Sequence, residues 1–189
     1  MIKTSDKKAI IAYGSRYGST AEISQEIAKI LNELDIETVV LDLKKTKEKK
    51  WPPIDEFDAI LVGSGIKIGR WMKEPQKFLK KNKDKIKGKG KILGLFVSCS
   101  LVLDDPLKAE KDYLEKIMDD LKFKTELSAA FGPVFDFSES SNLGFLTKKM
   151  AKLGLAESEN IEFDPNARND LRDWNQIRAF AKKVADLVK

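Results

Sequence analysis

The chain has 189 residues, 42% of them hydrophobic and 34% charged, with one cysteine and no histidine. Its 35 lysines and arginines against 30 acidic residues leave a net charge of +5, which allows an anionic partner without requiring one. The missing histidine excludes imidazole acid–base catalysis and histidine-ligated metals, so no metal site is expected; the lone Cys99 excludes an internal disulfide; and the length suits one domain over residues 1–189.

"MIKTSDKK" at the start is too polar for a secretion signal, and no apolar run reaches membrane-spanning length. The expectation is therefore a cytoplasmic protein. "KAIIAYG" (8–14) reads as a buried strand, and Ile23, Ile27, Ile30, Leu31 and Leu34 then recur at helical spacing. "ETVVLDL" (37–43) is a second strand. The lysine-rich "KKTKEKKWPP" that follows is a surface connection, closed to helix by its paired prolines. "FDAILVGSG" (57–65) predicts a third strand, and Glu74 and Pro75 open a helix through about Lys83.

"KILGLFVS" (91–98) is a fourth strand. In residues 105–121 Asp105 caps a helix ahead of Pro106, with Leu107, Leu114, Ile117, Met118 and Leu121 as its apolar stripe. "ELSAAFGPV" (126–134) is a fifth strand, and "LGFLTKKMAKLGL" a short helix in a long excursion. The closing helix carries Trp174, Ile177, Ala181, Val184 and Val188 inward. Five strands separated by helices imply an open, mostly parallel sheet covered on both faces.

The densest chemical signal is "GSRYGST" (14–20), between the first strand and the first helix. A helix N-terminus offers unpaired N–H groups and roughly half a positive charge. Ser15, Ser19 and Thr20 add hydroxyls, Gly18 permits a positive φ, and Arg16 and Tyr17 stand between them. Capping by Ser19 or Thr20 explains one hydroxyl but not the set. No G-x-x-x-x-G-K-[ST] occurs, and "GSGIKIG" (63–69) reads as a loop rather than a dinucleotide fingerprint.

On "GSRYGST", "GSGIKIGRW" after the third strand and "VSCSLVL" after the fourth, the chain resembles the flavodoxin-like flavoproteins. "SRYGST", "GIKIGRW", "FGPV" followed by an excursion with "FLTKKMAKLG", and "RNDLRDWNQIRAFAKKV" make it most similar to the menaquinone-dependent protoporphyrinogen oxidase group. The resemblance implies a single flavodoxin-like domain, a three-layer α/β sandwich whose five-stranded parallel sheet has the order 2-1-3-4-5. It also implies FMN as cofactor, with Ser15, Arg16, Tyr17, Gly18, Ser19 and Thr20 about its phosphate. Ser64, Gly65, Ile66, Lys67, Ile68 and Gly69, and Ser98, Cys99, Ser100 and Leu101, would then flank its ring.

From the residues themselves, Ile66, Ile68 and Trp71 can wall a flat apolar ring. A peptide within 64–69 is expected to reorient when that ring is reduced. Lys67 either favours an anionic reduced ring or is a solvated surface lysine. Cys99 reads as a small packing group, Trp51 as a packing anchor, and no general base is evident. The run "KKNKDKIKGKGK" (80–91) lacks interleaved aromatics, which argues against nucleic acid. "LGFLTKKMAKLGL" either lies on an anionic bilayer or covers the sheet edge.

The leading functional expectation is an FMN-dependent oxidoreductase. It would pass electrons from a small organic donor, protoporphyrinogen IX among the candidates, to a quinone or a redox-protein carrier. The alternative is a non-enzymatic electron-transfer protein. A phosphorylation switch on the same sheet fails, because the ends of strands one and three lack the acidic residues it needs.

Overall fold

The computed structural model describes residues 6–88, 90–122, 124–157 and 161–189. Strands β1 (Lys8–Gly14), β2 (Glu37–Asp42), β3 (Ala59–Lys67), β5 (Ile92–Ser98) and β6 (Leu127–Phe131) form a parallel sheet in the order β2-β1-β3-β5-β6. This is the expected 2-1-3-4-5 arrangement. The two-residue β4 (Arg70–Trp71) doubles back on β3, with Ile66 opposite Trp71 and Lys67 opposite Arg70.

Alternation along the strands sends side chains to opposite faces. Ile10, Ala12, Ile60, Val62, Leu95 and Val97 enter one core cluster. It is closed by Phe78 and Leu79 of α2 (Lys73–Lys81), Ile86 of α3 (Lys83–Ile86), and Ile117 and Leu121 of α6 (Lys116–Leu121). Ala9, Ile11, Ala59, Leu61 and Phe96 enter the other, under α1 (Ser19–Glu33) and α8 (Trp174–Val188). Phe180 of α8 packs there against Phe96 and Phe131. The lysine-rich connection is tied down too: Trp51 packs on Phe78 and donates Nε1–H to the Thr46 carbonyl, while Lys81 and Lys85 pair with Glu48 and Asp55.

Two sequence expectations are corrected. The helix of residues 105–121 spans the expected residues, but a π turn within it shifts its apolar stripe. After α4 (Leu101–Asp104), Asp105 caps α5 (Pro106–Ala109) by accepting from Lys108 N–H at 2.9 Å, and a π turn (Glu110–Glu115) leads into α6. The wider turn re-phases the stripe, leaving Leu107 79% exposed and burying Ala109 instead. The fifth strand stops at Phe131, because Pro133 has no N–H to give a ladder. Val134 instead opens β7 (Val134–Asp136), which pairs antiparallel with β8 (Arg168–Asp170) as a separate ribbon beyond the sheet. Between them α7 (Phe145–Ala156) packs by Leu155 alone among its buried residues. Among the described residues no helix is long and apolar enough to cross a membrane.

Candidate functional site

The carboxyl ends of β1, β3 and β5 point the same way, so the segments that follow them meet. They enclose a cavity of about 480 Å³ with contributions from Pro133, Val134 and Phe135 and from Leu143 and Thr147 at the start of α7. Ser15, Arg16, Tyr17, Ser19 and Thr20 line one end; Gly65, Ile66, Lys67 and Ile68 line a side; Ser98, Cys99 and Ser100 complete the floor.

The polar end is built from the start of α1. Gly18, at φ +100, turns the chain into the helix. Its N–H donates to Ser15 Oγ at 3.1 Å, leaving the Ser15 hydroxyl proton to be directed elsewhere. The first helical bond runs from Glu22 N–H to the Gly18 carbonyl, so the N–H groups of Ser19, Thr20 and Ala21 lie ahead of the ladder. Ser98 Oγ donates to the Gly132 carbonyl and contacts Ser19 Oγ at 2.8 Å. With the Ser98 proton committed, Ser19 is the donor of that pair.

A carboxylate in the first turn of α1, Glu22, would repel an anion brought to this end. Two arginines neutralise it. Arg168 reaches both Glu22 oxygens, and Arg172, its side chain wholly buried, reaches one of them at 2.6 Å. Arg172 also grips Asp170 and donates from Nη1 to the Ser19 carbonyl at 3.2 Å, which locks the loop from behind. Burial works against the Arg172 charge, but Asp170 and Glu22 outweigh it and push the guanidinium above its ordinary value. Burial alone would likewise raise the Asp170 carboxyl; hydrogen bonds from Arg172 and Trp174 prevail and hold it below the usual range.

The opposite side is a two-residue hairpin. Ile68 and Gly69 sit at φ +49 and +66 between paired Lys67 and Arg70, the backbone sense that two-residue hairpins favour. Glycine accepts this conformation; a β-branched isoleucine is strained in it. Behind the turn, buried Ser64 donates to the Gly65 carbonyl and accepts from Met72 N–H, anchoring its base.

Of the residues singled out from sequence, Gly18, Ser64, Gly69 and Leu101 do not face the cavity. The first three shape its loops, and Leu101 packs against the core. Trp71 is not a wall of the cavity: it is 6% exposed in the core and donates Nε1–H to the Tyr113 carbonyl at 2.6 Å. The antiparallel return of β4 turns it inward. Cys99 is buried, and burial raises its thiol above the ordinary value, which suits a packing role. Sequence reasoning missed Met72, Pro133, Val134, Phe135, Leu143 and Thr147 as lining residues. "FGPV" (131–134) was the available signal for this stretch, but the ribbon that aims Phe135 just after it depends on pairing with residues more than thirty positions away.

The flavodoxin domain family matches residues 10–159 of this chain. Protoporphyrinogen IX dehydrogenase [quinone] of Escherichia coli K12 is 24% identical over 185 residues, covering 96% of both chains. Among solved structures, a short-chain flavodoxin associated with a non-canonical PDU bacterial microcompartment aligns over 96% of both chains with a TM-score of 0.55 and 11% identity. Rubredoxin oxygen:oxidoreductase from the anaerobe Desulfovibrio gigas aligns over 98% of this chain with a TM-score of 0.54 and 14% identity; the chain spans 37% of that longer protein.

Proposed function

The chain belongs to the flavodoxin domain family, and we propose that it is an FMN-dependent oxidoreductase that passes electrons from a small organic donor to a quinone or another carrier. By analogy with the Escherichia coli relative, the donor is protoporphyrinogen IX. The observation that carries the reading is the polarity of one cavity, with a helix N-terminus and hydroxyls at one end and Tyr17, Ile66, Ile68 and Phe135 along the rest.

Those residues fit FMN. The phosphate would take the Ser19, Thr20 and Ala21 N–H groups and the Ser15 hydroxyl, with Arg16 above it. Arg168 and Arg172 cancel the Glu22 charge that would oppose it. When bound, the isoalloxazine of FMN takes up electrons or hydride and gives them on, which needs no histidine. Ile66, Ile68 and Phe135 would exclude water from the ring, and the peptides of 65–68 would be available to its edge. Lys67 is exposed at the cavity rim, placed to favour negative charge on a reduced ring.

Helix α7 supports peripheral contact with an anionic membrane surface. Phe145, Leu146, Met150 and Leu153 are 85%, 68%, 66% and 56% exposed, and Lys149 is exposed among them.

The test is the visible spectrum of the purified protein, with and without added FMN, followed by anaerobic turnover. Yellow protein that oxidises protoporphyrinogen IX with a quinone present supports the enzyme. Reduction that proceeds only through a partner reductase points to the electron-transfer alternative. Colourless protein that takes up no FMN rejects both.

A further inference from the structure

A second cavity, of about 560 Å³, opens between α4 and α7 on the far side of Ile68. It is continuous with the first: Ile68, Ser100, Phe135 and Thr147 line both. Its size suits a small organic molecule. Resting on the flavin reading above, we propose that this second cavity seats an uncharged, flat quinone-class ring, and that Ile68 is the partition across which it meets the flavin.

Three observations identify that occupant. Asp104 is the single charged side chain among the described lining residues, and the rest of the wall is mostly aliphatic or aromatic. A carboxylate with no lysine or arginine among the described lining residues opposes an anionic ring, while it can accept a hydrogen bond from a ring hydroxyl. Second, Leu146 and Met150 belong both to this wall and to the exposed apolar face of α7. A ring dissolved in a bilayer would then pass from lipid to cavity along one apolar surface. Third, Ile68 is held at a strained φ of +49 with its side chain 87% exposed, so it is not kept there by core packing. The strain sets a branched apolar group at the junction of the two compartments. A quinone seated there would take two electrons and one proton from the anionic reduced flavin and a second proton from solvent, so that its two carbonyls become hydroxyls and the flavin is left oxidised.

The experiment is stopped-flow reoxidation, under anaerobic conditions, of the photoreduced FMN-loaded protein by menadione and by the anionic naphthoquinone sulfonate. Each rate is divided by that of free reduced FMN, which removes the intrinsic reactivity of the probe. Gly154→Phe fills the second cavity alone: a Cβ on Gly154 meets no atom within 4 Å, so the ring has room to enter without disturbing the fold. It is expected to raise the half-saturating menadione concentration about tenfold, with FMN affinity by fluorescence quenching unchanged. Asp104→Asn is expected to reduce the preference for menadione over the sulfonate several-fold. Unaltered menadione saturation in Gly154→Phe, or an unaltered preference in Asp104→Asn, overturns the proposal. Wild-type protein that binds no FMN overturns the flavin reading itself, and the spectrum reveals that before any quinone is added.

Discussion

The start of α1 and the β3–β4 turn face each other across one cavity, yet they are stabilised in opposite ways. The first is over-determined. Gly18 takes its positive φ without strain, Ser15 and Ser98 hold the loop, and buried Arg172 clamps the Ser19 carbonyl through a cluster of two arginines and two carboxylates. The second is anchored at its base, by Ser64 and by buried Trp71, and its tip carries an exposed isoleucine in a conformation that isoleucine disfavours. A phosphate keeps its charge throughout a redox cycle, so a rigid, preorganised cradle suits it. A ring that changes protonation is better met by backbone that can re-form its contacts. With FMN in the cavity as proposed, the rigidity and the strain of the molecule would fall accordingly.

The largest expected effect comes from removing the clamp. Arg172→Met removes the charge-assisted hydrogen bonds to Glu22, Asp170 and the Ser19 carbonyl and leaves the two carboxylates to Arg168 alone, at a cost of about 2–3 kcal/mol. Urea melts should show the lowered midpoint, and the surviving folded protein should bind FMN more weakly. Gly18→Ala forces a side chain into φ +100 and should cost roughly 1–2 kcal/mol, with FMN affinity reduced about tenfold by titration.

At the turn the sign reverses. Ile68→Asn creates the Asn-Gly pair that a two-residue hairpin favours and gives up almost no buried surface. Stability should rise by about 1 kcal/mol, seen as about 2–4 °C in Tm. A loss of stability there would mean that the turn is not strained.

The smallest effect at neutral pH belongs to Tyr13, at the base of the rigid end. Tyr13→Phe removes a 3.3 Å hydrogen bond to Asp42 and should cost about 0.5 kcal/mol. Alkali separates the two proteins further. Burial first, then the charge and hydrogen bond of Asp42, push the Tyr13 hydroxyl from 10.0 up to about 12. Because the folded value is the higher one, this group's contribution is complete below the unfolded value and is lost as pH rises through about 12. Denaturation at graded alkaline pH should therefore show a downward slope in wild type that is shallower in Tyr13→Phe.

Much of the fold was legible from local pattern. The alternating or continuous apolar runs of β1, β3 and β5 report burial over a few residues, and "GSRYGST" reports a turn into a helix. Asp105 and Pro106 likewise marked a helix start correctly. Its end at Leu121 was also read correctly, but its buried stripe was misread at Leu107, because an extra residue in a π turn leaves no periodic trace strong enough to reassign that position. Trp71 looked like a cavity wall because loop position says nothing about which way a two-residue return strand faces.

By itself the sequence determined the parallel sheet, its strand order through the family likeness, and the hydroxyl-rich helix start, since each rests on residues close together in the chain. Tertiary structure alone decided that Phe135 and α7 close the cavity, that Arg172 neutralises a carboxylate 150 positions earlier, and that a second cavity adjoins the first. Short-range pattern encodes burial and capping. Which distant segments share one space follows from how the whole chain packs.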